Sequence, residues 1–115
     1  MVKNQLLFKG VLRPIVLSVF LESKGMYGYY LIKHINEISS GHLMITEGAL
    51  YPLLSKLEEE GIIIGEIEKI SNRKKRLYVL TADGKIKANA ELDDYRKFIK
   101  TLNNILLEKE NHLNI

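Results

Sequence analysis

The chain has no cysteine. A disulfide framework, a thiolate zinc ribbon and a thiol nucleophile are therefore excluded. Its histidines, His34, His42 and His112, are scattered, with no HExxH and no ligand pair at metal spacing. GxSxG, GxGxxG and P-loop patterns are missing as well, and the acidic residues fall mostly on faces expected to be exposed. No catalytic constellation assembles, so neither an enzyme nor a metal or other cofactor is expected. Internal repeats, low-complexity tracts and an evident linker are absent. The run from Leu6 to Leu21 is broken by Lys9, Gly10, Arg13 and Pro14, and no small-residue cleavage site follows it. It reads as a buried globular helix rather than a leader or a span, with no membrane contact and the cytoplasm as the expected compartment. Neither sign of charge dominates: 17 Lys and Arg against 14 Asp and Glu give +3. That permits nucleic-acid binding without demanding it, and the placement of the cations decides. At 115 residues, 46% hydrophobic and 27% charged, the chain suits one compact domain with an appended helix.

Pro14 suits the first turn of a helix, and Ile15, Val16, Val19 and Phe20 follow at helical spacing until Gly25. Tyr27-Gly28-Tyr29 reads as a turn into a second helix with Leu31, Ile32, Ile35 and Ile38 as its apolar stripe, stopped by Ser39-Ser40-Gly41. A third helix starts at Thr46, whose hydroxyl can cap free backbone N–H groups, with Glu47 well placed against the helix dipole. Leu50, Leu53, Leu54 and Leu57 make its buried stripe, while Glu47, Tyr51, Ser55 and Glu58 fall on the other side. Pro52 conflicts with this helix at a cost of about 3 kcal/mol. The carbonyl it opposes belongs to Gly48, so a tightened first turn is expected rather than a break.

After Gly61, Ile62–Ile70 reads as a strand, Ser71–Lys75 as a turn and Arg76–Leu80 as the return strand. Thr81 then caps a last helix. In it Ala88, Leu92, Tyr95, Ile99, Leu102 and Leu106 recur at spacings of four and three, a heptad seam that points to a partner helix and hence a homodimer. The fold class expected is α+β, mostly α: a winged helix-turn-helix domain over residues 1–80 and a long C-terminal dimerisation helix over 81–115.

The candidate DNA-binding residues lie in two sets. On the third helix, Thr46, Glu47, Gly48, Tyr51, Ser55 and Lys56 would meet bases or phosphates. Gly48 would permit close backbone approach, Tyr51 and Lys56 would meet phosphates, and Glu47 would accept from a cytosine amino group. Any soluble amphipathic helix has a polar face, so this set alone does not decide. At the hairpin tip, Arg73, Lys74, Lys75 and Arg76 are four adjacent cations that repel unless solvated or paired with an anion. A solvated loop, with Arg76 paired across the strands to Glu66 or Glu68, is the plainer reading. The cations follow a capped amphipathic helix directly, and that order favours DNA. Glu58-Glu59-Glu60 would repel phosphates, so it is expected to face solvent away from DNA. Tyr27, Tyr29, Tyr30, Tyr95 and Phe98 are either packing residues or the lining of a ligand pocket between the first and last helices.

FKGVLRPIVLSVFLES, MYGYYLIKHI, TEGALYPLLSKLEEEGII and RKKRLYVLTADGK, in this order and at these separations, resemble the signature segments of the PadR-like transcriptional regulators over roughly residues 6 to 88. The resemblance implies a homodimeric winged-helix repressor of an inverted-repeat operator, often upstream of its own gene and of a detoxification or efflux gene. It implies the small subgroup with a single C-terminal helix. By position, Thr46, Gly48, Tyr51 and Lys56 match the family's DNA-facing helix, and Arg73 to Arg76 match its wing. Two departures stand out. Many relatives have glycines where this chain has Ser71-Asn72, and some small members stack planar drugs on interface tryptophans, which this chain lacks.

The expected partners are double-stranded operator DNA, a second copy of the chain, and a small-molecule effector that would release the DNA. The alternative is a winged helix serving as a protein-interaction module through its C-terminal coiled-coil helix.

Overall fold

The computed structural model describes residues 5–107, so His112 and the end of the 81–115 segment lie outside the described residues. Helix α1 spans Gln5–Leu21, so Pro14 sits inside a helix and not in its first turn. Helix α3, Glu47–Glu59, carries Pro52 in the same way and runs through it unbroken. Both prolines have a glycine four residues back, Gly10 and Gly48. A residue without Cβ lets that carbonyl tilt away from the pyrrolidine ring, which softens the clash that usually breaks a helix.

Helix α2, Gly28–Ile38, and α3 form a helix-turn-helix pair. The turn between them is set by Ser40 and Gly41, both with positive φ, and by Ser39, whose hydroxyl accepts from Leu43 N–H at 2.9 Å. Thr46 opens α3 as expected, its Oγ1 accepting from Ala49 N–H at 3.2 Å. The core gathers Val16, Leu17 and Phe20 of α1, Leu31 and Ile35 of α2, and Leu50, Leu54 and Leu57 of α3. All are fully or nearly fully buried. Each such side chain contributes roughly 1.5–3 kcal/mol, so the α3 leucines alone hold that helix firmly against the domain.

Strand β1 (Met26–Tyr27), β2 (Ile63–Ile70) and β3 (Arg73–Leu80) make an antiparallel sheet in the order β1-β3-β2. β1 was not expected. It pairs Met26 with Tyr78 and Tyr27 with Leu77, which brings the start of α2 against the wing. The hairpin turn is also shorter than expected, only Ser71-Asn72, with φ of 48° and 64°. Positive φ at both central residues marks a type I′ turn, whose twist matches the flanking strands and which asparagine tolerates well. Arg73, Lys74 and Lys75 therefore lie on β3 and not in a loop.

Helix α4, Ala82–Leu106, begins at Thr81, whose Oγ1 accepts from Gly84 N–H at 2.8 Å and donates to the Gly61 carbonyl at 2.7 Å. Gly84 lies so close to the Ile62 carbonyl that a Cβ there would come within 1.9 Å of its oxygen. This contact seats the helix on the end of β2. The first half of α4 buries Ala88 and Leu92, and the second half leaves the domain, drawing the molecule out to 65 Å.

Candidate nucleic-acid interface

Leu50, Leu54 and Leu57 turn inward, which leaves Thr46, Glu47, Gly48, Tyr51, Ser55 and Lys56 exposed along one side of α3. A Cβ on Gly48 would meet nothing nearer than Thr46 Oγ1 at 3.9 Å, so this side is open to an approaching backbone. Thr46 is held by its cap, and Tyr51 by packing: its ring lies against Gly28, where an added Cβ would stand 2.7 Å from the phenolic oxygen. Burial, with smaller effects from Glu47 and Tyr78, pushes the Tyr51 phenol up from its ordinary pKa. It therefore remains a hydrogen-bond donor at neutral pH, suited to a phosphate oxygen.

The register of the hairpin sorts the wing cations by face, because directly opposed residues share one. Lys74 opposes Lys69 and Arg76 opposes Ile67, on the face that also carries buried Tyr78 and Ile63. Arg73 opposes Ile70 and Lys75 opposes Glu68 on the other face. The Lys69–Lys74 pair sets two exposed like charges across the ladder, an arrangement that an anion would relieve. Lys69 was missed in the sequence, because its position opposite Lys74 depends on a two-residue turn. Lys75 lies 5.6 Å from the centroid of the Tyr27 ring, a cation–π contact, and the Tyr27 hydroxyl donates to Glu68. That hydrogen bond raises the Tyr27 pKa.

Tyr51 of α3 and Lys74, Lys75 and Arg76 of β3 meet around a cleft of about 540 Å³, with Tyr29 and Tyr30 from the first turn of α2. Of the expected α3 set only Tyr51 meets the wing cations here; Thr46, Glu47, Gly48, Ser55 and Lys56 do not line the cleft, and Arg73 stands apart near the tip. Tyr27 caps α2 without a side-chain hydrogen bond. Gly28, Tyr29 and Tyr30, the first residues of α2, line this cleft, so the positive dipole end of that helix borders it. The sequence left Tyr27, Tyr29, Tyr30, Tyr95 and Phe98 as either packing residues or the lining of one pocket between the first and last helices. They are in two places, because β1 pins Tyr27 to the wing while Tyr95 and Phe98 line a groove of about 590 Å³ with Val11, Ile15 and Ile38.

The acidic end of α3 also differs from expectation. Arg76 is paired with Glu58 at 3.3 Å rather than with Glu66 or Glu68, which oppose Leu77 and Lys75. Glu60 does not simply face solvent: Arg13 of α1 binds it at 2.8 Å and Glu91 of α4 at 2.6 Å. Hydrogen bonding from Arg13 holds the Glu60 carboxyl below its usual pKa.

The heptad seam divides in two. Ala88 and Leu92 are buried in the protomer's own core, and Tyr95 is half-buried. Ile99, Leu102 and Leu106 are exposed, as are Phe98, Ile105 and Leu107 beside them. Among the described residues no helix is long and apolar enough to cross a membrane, and no cluster of acidic residues and histidines could hold a metal.

A capped helix with an open polar side, set against a basic two-stranded wing, defines a winged helix-turn-helix DNA-binding protein. The chain belongs to the PadR-like family of transcriptional regulators, a family of regulators and not of enzymes: the family model described as "Transcriptional regulator PadR-like family" matches residues 16–90. Among solved structures, a PadR-like transcriptional regulator from Bacillus cereus superimposes with a TM-score of 0.74 at 27% identity, over 90% of this chain and 98% of that one. A transcriptional regulator from Clostridium thermocellum has the same fold, with a TM-score of 0.79 at 23% identity over 91% and 99% of the two chains. No curated protein matches the sequence.

Proposed function

We propose that this regulator is a homodimeric repressor, with residues 1–80 as its DNA-binding unit and 81–115 as its dimerisation helix. The observation that carries the DNA half of this reading is the meeting of Tyr51 with Lys74, Lys75 and Arg76 around one cleft. It lets one protomer grip the backbone with its wing while the N-terminal half of α3 enters the adjacent major groove. The dimer half rests on the apolar end of α4. Phe98, Ile99, Ile105 and Leu106 are all more than half exposed, and Leu102, also exposed, falls between the two pairs at helical spacing, with Leu107 just past the helix end. Scattered single apolar residues are normal on a surface, whereas a continuous strip marks an interface. Self-association about a two-fold axis would place two α3 helices in successive major grooves roughly 34 Å apart and so select an inverted repeat. A dimer lying over a promoter represses by excluding polymerase.

The groove between α1 and α4 has a size typical of small-molecule sites, which run to roughly 300–1,000 Å³. It is lined by Val11, Ile15, Tyr95 and Phe98, so an effector seated there would be largely apolar. Such a ligand releases DNA by favouring an interprotomer angle that does not fit the operator.

The test is binding to the DNA upstream of the protein's own gene, combined with run-off transcription from it. The reading requires two chains per protected site, with two protected tracts one helical turn apart and loss of transcript on binding. One chain per site, increased transcript, or equal affinity for scrambled DNA would overturn the corresponding part.

A further inference from the structure

Helices α1, α3 and α4 meet at one guanidinium. Arg13 donates through Nε and Nη2 to the two carboxylate oxygens of Glu91, at 2.6 and 3.0 Å, and through Nη1 and Nη2 to those of Glu60, both at 2.8 Å. Two edges of one planar group are thus each used against a carboxylate, an arrangement open to arginine and closed to lysine. Its backbone is firmly seated, because Leu12 and Pro14 on either side are buried. Glu60 is the residue that ends α3, and Glu91 precedes Leu92, the last fully buried residue of α4 before that helix leaves the core. The other side of the same helix end is tied to the wing by Glu58 and Arg76.

We infer that Arg13 is a positioning residue for operator reading: by holding Glu60 and Glu91 together it fixes the angle between the recognition helix and the dimerisation helix, and through it the half-site spacing that the dimer accepts. The inference rests on the homodimer proposed above. Lever arms explain why the angle is set here. One grip joins the C-cap of the DNA-reading helix to the point where α4 departs toward its twin, so a small rotation at Arg13 is magnified at both ends. Without the guanidinium two carboxylates face one another and repel, and the interface between the helices opens. Lys56 and Lys87 also act on Glu60, but as more distant point charges that do not reproduce the planar grip. The network is partly exposed, with Arg13 at 21% and Glu60 at 38% side-chain exposure, so its loss need not unfold the domain.

The experiment compares the wild type with Arg13→Met on three duplexes: a single half-site, the full inverted repeat, and repeats with altered spacers. Arg13→Met is expected to bind the half-site within about twofold of wild type, to lose about tenfold on the full repeat, and to discriminate spacers less sharply. Glu91→Gln keeps the side chain's shape but leaves one accepting oxygen, the other becoming an amide nitrogen that donates, and is expected to fall between the two. It also carries the test if Arg13→Met fails to fold. Equal losses on the half-site and the full repeat, or an unchanged spacer preference, would overturn the positioning role. If the wild type gains nothing from a second half-site, the homodimer reading itself fails and the inference fails with it; the wild-type arm tells these failures apart.

Discussion

Among the described residues, Arg73 and Lys74 of β3, like Lys69 of β2, are wing cations with no carboxylate paired to them. Arg76 is paired with Glu58 at 3.3 Å, and Lys75 sits opposite Glu68 and over the Tyr27 ring. Arg73 and Lys74 face Ile70 and Lys69 across the ladder. Each phosphate neutralised releases condensed counterions and contributes about 0.9 to the slope of log affinity against log salt. In the proposed dimer, replacing both residues by alanine removes four such cations, which lowers the slope by about 3.6. Raising salt from about 50 to about 200 mM would then cost the wild type roughly 150-fold more affinity than the variant. Fluorescence anisotropy of a labelled operator across a salt series reads this directly. Arg76→Ala should lower the slope less, because binding DNA requires Arg76 to leave Glu58. Glu58→Gln, which frees Arg76, should steepen it by up to about 1.8 for the dimer. A slope unchanged by the double substitution, or Arg76→Ala matching it residue for residue, would refute this division of the wing.

Gly84→Ala drives a Cβ to 1.9 Å from the Ile62 carbonyl oxygen, a backbone clash that no rotamer relieves. Urea unfolding should show a loss of about 3 kcal/mol, and a loss under about 1 kcal/mol would mean that α4 is seated otherwise. Ile99→Asp with Leu102→Asp should give a folded monomer by sedimentation, since both side chains are exposed, whereas Leu92→Asp should unfold the domain from within. Gly28→Ala should displace the Tyr51 ring and weaken operator binding while thermal stability changes little, because the obstacle is the far end of a side chain. The folded-state pKa of Glu60 is depressed by Arg13, so its stabilising effect is full above the ordinary value of 4.5 and is lost as pH falls through the lower folded-state value. Acid titration of stability should therefore show a limb in the wild type that Arg13→Met lacks, and identical acid limbs would count against the pairing.

Local signals on the page of sequence carried most of the fold. Thr46 and Thr81 were legible as caps because their hydroxyls act within a single turn, and the α3 leucines because helical spacing alone puts them on one side. Pro52 was legible through Gly48; the same pairing at Gly10 and Pro14 was overlooked, so α1 began too late. What escaped depends on contacts distant in sequence. Two-residue β1 has no periodicity of its own and exists only through its pairing with β3. That strand decides where Tyr27, Tyr29 and Tyr30 lie, so the alternative of one pocket shared with Tyr95 and Phe98 does not hold. Positive φ at Ser71 and Asn72 shortened the turn and changed which wing residues share a face. Glu58 and Glu60 point to opposite partners because helical geometry separates residues two apart, and those partners, Arg76 and Arg13, lie on other elements. Within the heptad pattern, spacing cannot distinguish Ala88 and Leu92, which serve the protomer's core, from Ile99 and Leu102, which remain exposed.

The most direct test of a dimer that reads DNA through α3 and the wing is selection of bound duplexes from a randomised pool, followed by salt titration of the enriched sequence. An inverted repeat with half-site centres about one helical turn apart, bound with an affinity that falls steeply as salt rises, is the expected result. Failure to enrich any sequence at low salt, or an enriched sequence bound with no dependence on salt, would contradict it.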